Sequence, residues 1–482
     1  MELTSYSRKS KEFEKSLDKT YKKENGIFYT DIELSKKIIE FLSIPINAEI
    51  MDPCCGTGSF LVAAEFLGYS SLFGSDIDEN AVLFCKKETN LSHILKLDTL
   101  SKSGKETLEN FSLDRPVDYV IGNPPYAAIS KDYIHNVSDY ILGQNVKKSG
   151  KNLFVAAIYR AFELTKLDGI ISLIIPKNFL HVSSYKPLRE YIIKEKRICS
   201  IIDIGSYFKN VRGEQIILTL ENQKIENTII ELYKYINNEF VKTLEIEQNF
   251  YENEILLFNN RVDFDIYNKL KSTHKTFNDV CNGYVGRGKS KSEAAIRGRD
   301  IQKFSFKHMD VPKEGNKIFI QNIYSAESGI IASFGGNLEA AETVTIFTDS
   351  TDSTCRYILG FLHSRLCNYY LMKFCYNNSR LTVHTDAKYL KKLPLVNDDI
   401  IKVEQVIKIV TLLEKTDYMC DKWFDMIEFL NKLIYQIYNI DKDEVEYIDA
   451  EMKNFQSQRW NNDKRKQKMQ QLNWEGMAPK LF

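Results

Sequence analysis

Apolar residues in the first half of the chain come in short runs, each closed by a turn with a polar residue at its tip. Glu49-Ile50-Met51-Asp52, Ser71-Leu72-Phe73-Gly74-Ser75, Ile94-Leu95-Lys96-Leu97-Asp98 and Tyr119-Val120-Ile121 are too short for helices and read as buried strands. Asp168 to Pro176, Ile201 to Gly205 and Gln215 to Leu220 continue the series. Helical patterns start near Glu33 and just after Gly58. This order predicts an open α/β sheet, whose ligands lie beyond the carboxyl ends of its strands. Further on, Ile318 to Ile320, Gly329 to Phe334 and Thr343 to Phe347 predict strands, and Thr354 to Met372 predicts a helix carrying Arg365. Val403 to Leu413 and Trp423 to Tyr438 have apolar residues at helical spacing, which predicts two more helices packed on what precedes them.

The strand tips carry the candidate chemistry. Asn123-Pro124-Pro125-Tyr126 follows the fourth run. An Asn carbonyl accepts from an exocyclic amine, two prolines stiffen the turn, and a tyrosine offers a flat face to a planar ring. The plainer reading is an ordinary strand-ending turn. Upstream, Asp52-Pro53-Cys54-Cys55-Gly56-Thr57-Gly58-Ser59 joins a strand to a helix start. Its glycines allow a tight turn, and the helix start offers free N–H groups to a carboxylate. It lacks the third glycine of the dinucleotide fingerprint and the Gly-Lys-Ser/Thr of a P-loop. Asp76, about 20 residues on, suits a ribose diol. Asp98 ends the next run. One such Asp alone is better read as a helix cap or loop charge; three in order, followed by the Asn-Pro-Pro-Tyr strand, are not.

With these residues in place, the chain resembles the class I, S-adenosylmethionine-dependent methyltransferases, and more closely the γ-class (TaqI-type) DNA adenine-N6 methyltransferases, over roughly residues 20 to 395. The resemblance implies a doubly wound α/β methyltransferase sheet, an α+β target-recognition domain and C-terminal helices. It places Thr30, within Asn25-Gly26-Ile27-Phe28-Tyr29-Thr30, at the methionine end of S-adenosylmethionine, where it is also a plausible helix N-cap. Asp52, Cys54, Gly56 and Gly58 match the methionine-side motif, Asp76 the ribose acid, Ile77 a contact to the adenine, and Asp98 the acceptor of the cofactor's adenine amine. Where the family often has an aromatic facing that adenine, this chain has Ala156-Ala157, with Phe154 a candidate substitute. Catalysis falls to Asn123, Pro124, Pro125 and Tyr126, and Phe208 matches the aromatic on the far face of a flipped base, a loop Phe in the core being its plainer role. The same tetrapeptide serves methyltransferases acting on glutamine or on guanine N2 of RNA. An RNA enzyme, or a non-catalytic DNA-binding protein on this fold, therefore stays open.

Composition adds bounds. A chain of 482 residues with 43% hydrophobic content suits more than one domain. The expected division is 1–245 for catalysis, 246–395 for target recognition, and 396–482 for a helical extension with a basic tail. No apolar run approaches a membrane span, and residues 1 to 16 are too polar for a signal peptide. The short N-terminus leaves no room for a fused nuclease. Nine scattered cysteines, with Cys54 and Cys55 adjacent, suit a reducing cytoplasm and no metal site. Lys+Arg and Asp+Glu both number 65, so any nucleic-acid surface must be local. Residues 271 to 307 provide one: Arg287, Lys289, Lys291, Arg297 and Arg299 sit among glycines and become DNA-binding candidates, against the commoner reading of a solvated face. The arginines beside glycine are the candidates for base reading. Asn378 and Arg380, in the polar stretch 377–382, join them. The expected partner is double-stranded DNA, the expected state a monomer, and the setting a restriction–modification or related host or phage system. Whether a separate cognate endonuclease exists stays open.

Overall fold

The computed structural model describes residues 3–18, 20–22, 26, 28–130, 133, 145, 147–208, 213–272, 275–277, 285–307, 315–336, 338–348, 351–379, 383–385, 387–396 and 398–462. It divides into two compact units, Met1–Asn259 and Asn260–Phe482.

A nine-stranded sheet organises the first unit. Its strands are β1 (Ile50–Asp52), β2 (Leu72–Asp76), β3 (His93–Lys96), β4 (Val117–Gly122), β5 (Thr165–Pro176), β6 (Arg197–Gly205), β7 (Gln215–Glu221), β8 (Ile229–Ile236) and β9 (Glu239–Glu247), in the order β3-β2-β1-β4-β5-β7-β6-β8-β9. The five strands from β3 to β5 are parallel, and β7 inserts antiparallel between β5 and β6. Ile50, Met51, Val120, Ile121, Ile174 and Ile175 are all essentially unexposed. Both faces are therefore covered, which is why these strands read as continuous apolar runs. From β1 the chain moves outward to β2 and β3, then returns to β4 on the other side of β1. This reversal opens a crevice at the carboxyl ends of β1 and β4, where Asp52 and Asn123 stand. The class I methyltransferase architecture implied by the sequence is present.

The second unit is α+β. Val285–Arg287, Val344–Thr348, Lys317–Gln321 and Ala332–Phe334 form a four-stranded antiparallel sheet in that spatial order. Helices Asp352–Leu362, Ile400–Leu413, Asp421–Ile437 and Lys442–Asn462 belong to the same unit. A Cβ on Gly360 would come 2.7 Å from Val406 Cγ1, so the first two of these helices cross closely at a glycine. The helix expected over Thr354 to Met372 is broken. It stops at Leu362, restarts at Arg365 behind the N-cap Ser364, and passes into a π turn at Leu371–Cys375. The basic tail beyond residue 462 lies outside the described residues.

Candidate active site

The turn after β1 builds one wall of the crevice. Gly56 and Gly58 take φ of +54° and +92°, left-handed values that favour glycine. A Cβ on Gly56 would lie 2.5 Å from Tyr29 Cε1, so the Tyr29 ring rests on the turn. Gly58 is the N-cap of the helix Ser59–Phe66 and has no side chain to satisfy the first N–H groups. Asp76, at the tip of β2, accepts from Gly56 N at 2.7 Å and from Asp78 N at 2.8 Å. Its carboxylate is thereby fixed by backbone.

The opposite wall is the tip of β4. Asn123 Nδ2 donates to Phe28 O at 2.9 Å, and Asn123 Oδ1 accepts from the Tyr126 hydroxyl at 2.6 Å. That hydroxyl also lies 3.0 Å from Ile174 O, at the end of β5. Asn152 caps the helix Leu153–Leu164 and donates to Tyr126 O at 3.2 Å, holding the exit of the tetrapeptide. A Cβ on Gly122 would come 2.5 Å from Asp52 Oδ1, so the tips of β1 and β4 touch where only glycine fits.

Between these walls lies a cleft of about 310 Å³. Cys54, Gly56, Asp76, Ile77, Asp98, Asn123 and Pro125 line it, so most of the sequence candidates converge. Phe28, Tyr29, Leu97, Leu100, Tyr133 and Leu153 line it too, and the sequence did not single them out as cleft walls. Tyr133 donates to Asp98 Oδ1 at 2.7 Å. Phe154 is fully buried against Tyr126, Phe179 and Tyr185, so Leu153 and not Phe154 meets the cleft. Thr30 is not the helix cap. Asp31 is, accepting from Glu33 N at 2.9 Å, which leaves Thr30 Oγ1 buried without a hydrogen-bond partner among the described residues. Thr30 opens with Ser59, Tyr207 and Phe208 onto an adjoining hollow that shares Phe28 and Tyr29 with the cleft. Phe208 thus belongs to the neighbouring hollow, and its ring packs 5.3 Å from Tyr207. Among the described residues Tyr126 has Phe28 and Phe154 as ring neighbours, because its bonded hydroxyl ties the ring to the sheet end. The two rings expected to sandwich a base are not paired face to face.

Residues 13–285, more than half of the chain, match the family model of the N-6 DNA methylases. The chain belongs to the N-6 DNA methylase family. It is similar to the type II methyltransferase M.VspI of Vibrio sp. (strain 343), 26% identical over 43% of this chain and 50% of that protein. It is also similar to the modification methylase CviBIII of Paramecium bursaria Chlorella virus NC1A, 29% identical over 40% of this chain and 48% of that one. Each match spans about half the relative's length. Among solved structures, the type IIL restriction–modification enzyme MmeI in complex with DNA aligns over 93% of this chain and 81% of its own, with TM-score 0.60 and 13% identity, a likeness of fold.

Membership of this class I methyltransferase family implies dependence on S-adenosylmethionine. The residues fit that cofactor. The cleft is of the size of small-molecule sites, a backbone-fixed carboxylate suits a ribose diol, exposed Ile77 with Leu97 and Leu100 suits a flat ring, and Thr30 Oγ1 is a buried group still needing a partner. Burial raises the Asp52 carboxyl to about 8, partly offset by the Cys54 N–H and reinforced by Asp76. Burial raises Asp76 to about 6 against the three backbone N–H groups, of Asp78, Gly56 and Ile77, that lower it.

In the second unit Arg287, Lys289, Lys291 and Arg299 are exposed and Arg297 is half-buried. Arg287 ends the edge strand of the four-stranded sheet. Gly288 and Gly298, beside these arginines, do not open the backbone to a ligand. A Cβ on Gly288 would come 2.3 Å from Ala340 O, and one on Gly298 would come 3.0 Å from Thr343 O, so both serve chain crossings inside the unit. Asn378 is buried, takes φ of +60°, and donates its N–H to Met372 O at 2.9 Å. It closes the π turn, which removes it from the exposed surface where the sequence placed it. Arg380 lies outside the described residues. No helix among the described residues is long and apolar enough to cross a membrane.

Proposed function

We propose that this chain is a site-specific DNA adenine-N6 methyltransferase of the γ type, acting on double-stranded DNA within a restriction–modification or related modification system. The observation that carries this is the placement of the Asn123 amide in the same cleft as the Asp76 and Asp98 carboxylates. Asp76 would hold the ribose of S-adenosylmethionine, Asp98 its adenine amine, and Thr30 with the start of the helix at Ser59 its methionine end. When bound, the cofactor supplies an electrophilic methyl group. An adenine inside a duplex cannot reach this cleft, so the target leaves the stack. Asn123 Oδ1 and the Pro124 carbonyl then accept from its N6 amine. These two bonds localise the nitrogen lone pair toward the methyl and need no general base before transfer; the proton leaves afterward to water. Positioning and fixed dipoles are the protein's contribution. The family resemblance supports Phe208 closing on the base opposite Tyr126, which requires a movement of the loop that follows β6. The exposed basic residues of 285–299 would meet DNA phosphates. The chain would act in the cytoplasm as a monomer, with or without a separate endonuclease of the same specificity.

The test is transfer of label from tritiated S-adenosylmethionine to duplex DNA, RNA and protein in parallel. Label should enter duplex DNA and disappear with Asn123→Ala. Label confined to RNA or protein would replace this reading with one of its rivals.

A further inference from the structure

Lys303 and Phe304 form the two-residue tip of a hairpin in which Gln302 pairs with Ser305. Hairpin tips ordinarily face water, but this one turns inward. Phe304 is buried, and its φ of +65° is a left-handed value that a bulky side chain keeps only where its surroundings hold it. Its ring lies 4.1 Å from that of His363, at the break between the helices Asp352–Leu362 and Arg365–Tyr370. Lys303, His363, Arg365, Asn431 and Trp423 line a cavity there of about 20 Å³, enough for one occupant the size of a water molecule or a halide.

The free polar groups on this lining are donors. His363 is 7% exposed, and its Nε2 accepts from Ala332 N–H at 3.1 Å. The ring proton therefore sits on Nδ1, which is buried without a partner among the described residues. Burial and the neighbouring Lys303 hold the His363 pKa well below the usual histidine range, so the ring stays neutral. Arg365 commits its terminal nitrogens to Asp449 and Glu428, leaving Nε buried and unpaired among the described residues. The side-chain acceptors are already engaged. Asn368 Oδ1 accepts from the Tyr324 hydroxyl at 2.6 Å, and Asn431 Oδ1 accepts from Arg365 N at 2.8 Å. Ser364 Oγ donates to Phe361 O at 2.7 Å and accepts from Cys367 N at 3.1 Å. Burial acts on the Lys303 ammonium, and among the described residues no acidic side chain opposes it. A water molecule accepts about two hydrogen bonds and donates two of its own, and each side-chain oxygen on this lining, among the described residues, already holds a hydrogen bond. A halide accepts from every direction and balances the lysine charge.

We infer that this cavity is a binding site for a single halide ion, chloride under ordinary conditions, facing the Lys303 ammonium, His363 Nδ1–H and Arg365 Nε–H. The ion neutralises Lys303 and locks the hairpin tip beneath the helix break. Lys303, half-buried at the hairpin tip, is then committed to the ion and not to DNA.

The test uses the full chain with bromide as probe. In crystals grown in sodium bromide without chloride, anomalous scattering should show one peak in the cavity lined by Lys303 and His363. In solution, exchanging gluconate for bromide at constant ionic strength should raise the Tm saturably, by about 2 °C. Lys303→Met should abolish that rise, while Lys289→Met, at an exposed position, should keep it. An empty cavity in the anomalous map, or an equal rise in Lys303→Met, overturns the inference. If Lys303→Met does not fold, the map on the unaltered chain decides alone.

Discussion

Tyr126 donates its hydroxyl to Asn123 Oδ1, the same oxygen assigned to the adenine amine. The contact orients the amide before substrate arrives, and Ile174 O offers the hydroxyl a second acceptor when the amine takes its share. Tyr126→Phe keeps the ring but frees the amide. We expect kcat to fall about tenfold, a change of about 1.4 kcal/mol, with cofactor affinity unchanged; a paired fall in cofactor affinity would point to collapse of the cleft. Asp76 gives a pH test. Its carboxyl titrates near 6, and ribose hydroxyls donate to the charged form, so cofactor affinity should drop below pH 6 by about tenfold per pH unit. Calorimetry from pH 5 to 8 reads this, and Asp76→Asn should bind weakly with a flat profile. The same carboxyls affect folding in a defined direction. Folding raises the pKa of Asp52 and Asp76, so the folded chain holds their protons more tightly than the unfolded one. Their stabilising effect is complete below the ordinary carboxylate range and is lost as pH rises through about 6 for Asp76 and about 8 for Asp52. The Tm of the cofactor-free protein should decline between pH 5 and 8, and Asp52→Asn should flatten the upper part of that decline.

Elements differed in how plainly the sequence announced them. β1 to β7 were legible because strands buried on both faces read as apolar runs, and the glycines of the first turn mark positive φ. β8 and β9 were not, since half-exposed strands such as Ile229–Ile236 mix Glu231 and Lys234 into the run. The helix Leu3–Ser16 escaped notice for a similar reason. It is largely polar and buries only Tyr6 and Ser10, yet both reach the glycine turn after β1. The Tyr6 hydroxyl donates to Thr57 O at 2.6 Å, and Ser10 Oγ lies 2.9 Å from Thr57 Oγ1, between the two glycines. Tyr6→Phe should lower stability by about 1 kcal/mol and weaken cofactor binding, as Tm and calorimetry would show; unchanged affinity would make the helix a cover without influence on the turn. The break at His363 did have a signal, because Ser364 inside an apolar helical pattern is a cap residue out of place. Contacts such as Tyr126 to Asn123 or Tyr133 to Asp98 had none, since they depend on how the chain crosses itself.

At the scale of the whole molecule, the family and the convergence of the cleft residues were readable from strand order and strand tips, while the exposure of the polar candidates in the second unit was not. Asn378 shows why: a polar residue in a polar stretch can be buried to close an irregular helix end. A net charge of zero hides the local field of Arg287, Lys289, Lys291 and Arg299. If these residues meet phosphates, log affinity for DNA should fall linearly with log salt, and each Lys→Ala variant should reduce the slope by about 0.9 on every sequence. Slopes equal to that of the unaltered chain would make the segment a solvated face. The most direct measurement of the central claim is nucleoside analysis of duplex DNA after incubation with S-adenosylmethionine and either the unaltered chain or Asn123→Ala, with cofactor affinity measured for both. N6-methyladenine should form with the first and be absent with the second, at equal cofactor affinity. Equal N6-methyladenine from both proteins, or a methylated base other than adenine, would contradict it.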